Sequence, residues 1–77
     1  MPRVISYFDK VDESYVDEIV LPEIPLVLLQ KIFEEDDADD PMYDSYPIGK
    51  QRSVLLKKFL NFDFDFDRFD YFLEYYE

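Results

Sequence analysis

Cysteine and histidine are both missing from this 77-residue chain, tryptophan is missing too, and glycine occurs once. Without cysteine there is no disulfide and no thiolate metal site, a usage that suits a reducing compartment. Without histidine the commonest general acid–base and metal ligand near neutral pH is gone, so catalysis would have to rest on carboxylates, Tyr, Lys or Ser. The serines Ser6, Ser14, Ser45 and Ser53 have neither a His partner nor a Gly-x-Ser-x-Gly context. Paired carboxylates alone do not make a glycosidase here, because so short a chain cannot easily build a sugar cleft around them. We therefore expect no enzyme, no cofactor and no metal. Long apolar runs are also lacking. Nothing approaches the roughly 18 uncharged apolar residues of a membrane span, since Pro22, Glu23 and Pro25 interrupt the most apolar stretch, 19–29. The opening Met1-Pro2-Arg3-Val4 carries no secretory h-region. The expectation is one soluble, cytoplasmic domain over 1–77.

What the chain does have is acid and aromatic side chains together. Nineteen Asp and Glu against eight Lys and Arg give a net charge of −11, alongside eight Phe and seven Tyr. Charge alone would suggest a disordered tail; the aromatic residues can supply a core. A domain of this size buries only about 60% of its unfolded surface, so its stability margin is thin. The charge is segregated: residues 9–47 hold thirteen acids and two bases, and residues 48–60 hold four bases and no acid. A field of this sign favours a basic protein partner and repels nucleic acid and anionic membranes.

Residues 3–8 are rich in β-formers and read as a strand, 9–14 as a turn, and 15–21 as a second strand joined to the first in an antiparallel hairpin. Pro25 suits the first turn of a helix in which Leu26, Leu29, Ile32 and Phe33 fall at helical spacing, ending near Glu35. Two prolines and an acidic run predict a structureless loop over 36–48. Residues 50–60 read as a second helix, with Gly49 as N-cap, an apolar stripe of Leu55, Leu56, Phe59 and Leu60, and Lys57 and Lys58 in its last turns. Phe62-Asp63-Phe64-Asp65-Phe66-Asp67 alternates strictly, the signature of a strand, and the phase slip at Arg68 predicts a bulge or bend before Phe69, Tyr71, Leu73 and Tyr75. The predicted order is β-β-α-α-β. That gives an α+β domain with a three-stranded antiparallel sheet and two helices packed on one face.

Two acidic constellations stand out as candidate partner-binding sites. Asp36, Asp37, Asp39, Asp40 and Asp44 line a loop suited to capturing a Lys/Arg-rich surface, and Tyr43 and Tyr46 beside them are candidate anchors. The plainer alternative is a solubilising charge run with its Tyr rings pinned to the core. On a strand, Asp63, Asp65 and Asp67 would form a row spaced roughly 6.6–6.8 Å, near the scale of nucleic-acid phosphates; the plainer reading is the wet face of a half-buried strand. Asp63, Asp65, Asp67 and Glu74 also fall at positions 1, 3, 5 and 12 of an EF-hand-like loop, but Arg68 stands where the sharp turn needs Gly. The four bases Lys50, Arg52, Lys57 and Lys58 are too few on so acidic a chain to argue for nucleic acid, and suit an internal charge complement or a solvated helix face.

Three segments carry a resemblance: Val4-Ile5-Ser6-Tyr7-Phe8-Asp9-Lys10, the run Asp40-Pro41-Met42-Tyr43-Asp44-Ser45-Tyr46-Pro47-Ile48, and the ending from Phe64-Asp65 to Tyr71-Phe72. Over most of its length the chain resembles small bacterial immunity proteins of polymorphic toxin systems, including contact-dependent growth inhibition. The resemblance implies a cognate inhibitor that binds a toxin domain, often a cationic nuclease, inside the producing cell. The expected partner is therefore a basic toxin domain bound 1:1 by a monomer, with neither nucleic acid nor membrane as ligand. The alternatives are a nucleic-acid mimic that blocks a host nuclease or DNA-binding protein, and a calcium-binding module. The site residues rest on charge and position, not on the resemblance.

Overall fold

The structure, a computed structural model, describes residues 3–76. Its elements are β1 (Arg3–Asp9), β2 (Tyr15–Val20), α1 (Leu26–Ile32), β3 (Tyr46–Ile48), α2 (Lys50–Leu56) and β4 (Phe69–Tyr75). The strands form one antiparallel sheet in the order β2-β1-β4-β3. The α+β class, the hairpin and both helices match the sequence reading. The sheet has four strands rather than three. The extra one, β3, lies inside the stretch expected to be structureless. It is only three residues long and sits at the sheet edge, where Pro47 can be tolerated because one side of the strand needs no ladder bonds.

The last segment departs further. Phe62 to Asp65 joins no strand, and a turn over Phe66–Arg68 leads into β4. The N–H groups of Arg68 and Phe69 both donate to the Asp65 carbonyl, at 3.3 and 3.0 Å. The phase slip at Arg68 is thus a helical turn rather than a bulge within one long strand. Alternation still has a cause. Phe62, Phe64 and Phe66 all project the same way onto Tyr71, with ring centroids 6.0, 4.9 and 5.3 Å from it.

The β1 turn is built by acids. Asp9 accepts from the N–H groups of Val11 and Asp12, and Asp12 accepts from the N–H and hydroxyl of Ser14. Helix α1 closes with a Schellman pair in which the Glu35 N–H reaches the Gln30 carbonyl (2.8 Å) and the Glu34 N–H reaches that of Lys31 (3.3 Å). Glu34 occupies the left-handed position, φ 58°, that such motifs usually give to glycine. Both helices are shorter than expected: Phe33 caps α1, and Lys57 caps α2.

Register decides which side chains share a face. Ile5 lies opposite Leu73 and Ile19, Tyr7 opposite Tyr71, Tyr46 opposite Leu73, and Ile48 opposite Tyr71. These residues join Leu29, Ile32, Phe33 and Leu56 of the helices and the plug Met42 in one core. Arg52 closes that layer. Its guanidinium donates to the carbonyls of Pro47 (3.0 Å) and Phe33 (3.2 Å) and lies over the Phe33 ring. Of the four bases at 48–60, expected as an internal charge complement or a solvated helix face, Arg52 thus serves carbonyls and a ring rather than a carboxylate. Among the described residues no helix covers the opposite sheet face.

Candidate binding surface

The acidic loop is anchored through its backbone. Gln30, almost fully buried, donates from its amide to the carbonyls of Ala38 (3.1 Å) and Asp40 (2.9 Å), with that of Asp37 at 3.5 Å. Arg3 donates to the carbonyls of Met42 (2.6 Å) and Pro41 (2.8 Å). Met42 adopts φ 58° and is completely buried, so the chain is pinned in mid-loop by a core side chain. Since carbonyls make the attachments, most carboxylates are left outside: Asp36, Asp37, Asp39 and Asp44 are exposed. Asp40 is half-buried and accepts from the Met42 N–H at 2.8 Å.

The two loop tyrosines take different roles. Tyr46 belongs to β3 and packs on Phe33, ring centroids 5.8 Å apart. Burial first, then the charges of Asp40 and Asp44, raise its phenol above the usual range. Tyr43 stacks on Tyr75 at 4.1 Å, and Arg3 lies over the far partner of that stack, yet Tyr43 stays more than half exposed. Tyr46 therefore packs half-buried against the core, and of the two Tyr43 keeps the ring that an incoming protein could cover.

Asp63, Asp65 and Asp67 do not form a row on a strand, because no strand is there. Asp63 is fully exposed and pairs with Lys57 at 3.6 Å. Asp65 is half-buried: its N–H donates to the Tyr71 hydroxyl (2.8 Å) and its carboxylate accepts from the Asp67 N–H (3.2 Å). It is a turn-former rather than a presented charge. The strand geometry that suggested phosphate-like spacing is thus lost. Among the described residues no group of three or more carboxylates is gathered as metal ligands. The two acidic segments also lie apart. Tyr43 stacks at the Tyr75 end of β4, whereas Asp65–Arg68 feeds its Phe69 end, roughly 20 Å away along a seven-residue strand.

Sequence reasoning missed the bare sheet face. Cross-strand register sets Tyr15 beside Phe8, Phe8 beside Asp70, Glu18 beside Ser6 and Ser6 beside Phe72, with Val4 between Val20 and Glu74. Tyr15, Phe8 and Phe72 form a strip of edge-to-face rings at 5.7 and 5.8 Å. Carboxylates stand among them. Glu18 accepts from the hydroxyls of Tyr15 (2.9 Å) and Tyr76 (3.0 Å), and Glu74 accepts from the fully buried Ser6 hydroxyl at 2.6 Å. Loss of water around its hydroxyl, then the bond to Glu18 and that carboxylate's charge, push Tyr15 from 10.0 up to about 12. An open groove of about 360 Å³ runs along this face, lined by Phe8, Glu13, Ser45, Asp70, Phe72 and Glu74. The signal lay in Phe8 and Phe72: β1 does not alternate cleanly, and the alternation of Phe69, Tyr71, Leu73 and Tyr75 left Phe72 on the other side without showing which strand would bring a ring beside it.

The family model described as Domain of unknown function (DUF7683) matches residues 2–74. The chain belongs to that family. No curated protein and no solved structure matches it. Family membership thus brings no activity with it.

Proposed function

We propose that this chain is an immunity protein, a binding module that neutralises a cognate cationic toxin domain, most simply a nuclease, inside the cell that makes both. The supporting observation is the near-absence of internal neutralisation. Among the described residues only two ion pairs form, Lys10–Asp70 and Lys57–Asp63, on a chain of charge −11. Apart from those two pairs, no carboxylate among the described residues forms an ion pair with a basic side chain, and exposed acids stand on an anchored loop and around an aromatic face. A nuclease cleft must be positive to hold its polyanion, and the acidic loop Asp36–Asp44 answers the same field. Such complementarity carries association toward about 10⁸–10⁹ M⁻¹s⁻¹ at low salt. Speed matters because free toxin keeps cutting until it is caught. Tyr43 and the rings of the bare face then slow dissociation. The complex is 1:1 and its place is the cytoplasm.

The test is co-expression with the product of the neighbouring gene. The expected result is that this product arrests growth alone, that the chain restores growth, and that the two purify as a 1:1 complex. Reversing Asp39 and Asp40 to Lys should slow association and flatten its salt dependence. Unaltered growth and no complex would remove the immunity reading; an unchanged on-rate in the double reversal would remove the loop as the steering patch.

A further inference from the structure

We propose that the groove on the bare sheet face receives an arginine side chain of the cationic partner, an inference that rests on the reading of the chain as a binder of basic protein. The floor is aromatic, Phe8 and Phe72 packed edge to face, and the rim is acidic, Glu13, Asp70 and Glu74. A guanidinium is planar, weakly hydrated and stacks on rings while presenting a fork of donors to carboxylates. The groove offers both surfaces within one side chain's reach.

The carboxylates are placed to accept it. Ser6, with no exposed surface, donates to one oxygen of Glu74 and so orients the carboxylate. Asp70 is paired with Lys10 at 3.4 Å, but both side chains are about half exposed, 45% and 51%. An ion pair that wet contributes little and yields readily to a better-placed cation. The chain has three arginines, and each lies over one of its own rings: Arg3 over Tyr75, Arg52 over Phe33, and Arg68 over Phe69. None of these three stacks lies on Phe8 or Phe72. A second copy of this chain is a poor occupant, because face-to-face packing would oppose Glu13, Asp70 and Glu74 to one another. A phosphate-bearing ligand is repelled for the same reason.

The test uses the intact chain with its phenylalanine rings isotope-labelled, titrated by nuclear magnetic resonance with acetyl-Gly-Arg-Gly-amide and with the corresponding Leu peptide. The expected result is a saturable shift of the Phe8 and Phe72 ring signals, at least about fivefold tighter for the Arg peptide and weakened about fivefold by Glu74→Gln. Glu13→Gln, on an exposed turn, repeats the measurement should Glu74→Gln unfold the chain. Equal response to the Leu peptide, or Phe8 and Phe72 signals that stay put while the Arg peptide is added, would overturn the proposal. So would ring signals that move with protein concentration alone, the mark of self-association. The two readings fail separately. A 1:1 complex with the neighbouring gene product that leaves both rings at their free positions sinks the groove alone. An Arg peptide that seats on the rings while no basic protein binds sinks the immunity reading alone.

Discussion

The two faces of the sheet are furnished with the same kinds of side chain and do opposite things with them. On the covered face Tyr7, Phe62, Phe64, Phe66 and Phe69 surround Tyr71, whose hydroxyl is itself satisfied by the Asp65 N–H. On the bare face Tyr15, Phe8 and Phe72 touch one another in a line, and carboxylates fill the spaces. Rings that meet rings on every side are core. Rings interleaved with acids are a surface that stays partly apolar without a layer to cover it, the anatomy of a recognition patch. The number of aromatics in a sequence therefore does not measure its core until register says which face each one shares.

Substitutions on the two faces should separate them by their cost. The largest effect is expected at Tyr71: replacement by Ala should cost about 3–5 kcal/mol in urea unfolding, the range for emptying a buried aromatic site. Gln30→Ala comes next, at about 1–3 kcal/mol, because it strands carbonyls of the acidic loop; hydrogen exchange should rise over 36–44 more than elsewhere. Phe72→Ala should cost only about 1 kcal/mol, since its ring has no covering layer. If it costs as much as Tyr71→Ala, the distinction between the faces is wrong. Glu34→Gly should stabilise by about 1 kcal/mol by relieving a left-handed backbone position. The subtlest effect is at Tyr15. By ultraviolet titration it should ionise near pH 12, and Glu18→Gln should bring it back toward 10.0. The folded phenol's pKa lies above the unfolded value, so its contribution to stability is complete below pH 10.0 and is lost as pH rises through about 12.

Much of the fold was legible locally. Pro25 followed by Leu29, Ile32 and Phe33 identifies α1, and Gly49 followed by Leu55 and Leu56 identifies α2, because a helix writes its packing face into one continuous segment. The β3 strand was not legible: three residues with a central proline hold no period, and the pairing comes from β4. The Phe-Asp alternation misled for a related reason. Extended chain places alternate side chains on one side whether or not its backbone is paired, so Phe62, Phe64 and Phe66 showed a common target without showing a ladder. Of the candidate site, the exposed loop acids were legible as charge. Their anchoring by Gln30 and Arg3 was not, because those contacts cross from α1 and β1. The groove was invisible for the same reason: Phe8, Glu13, Ser45 and Phe72 come from four parts of the chain.

The proposed function stands on an organised anionic surface that seats against a basic protein. Stopped-flow association with the product of the neighbouring gene, followed across ionic strength, tests it most directly. The rate should be fast in dilute buffer and fall steeply as salt is added, while the dissociation rate changes little. Association that is absent, or that proceeds at the same rate in dilute and concentrated salt, would contradict it.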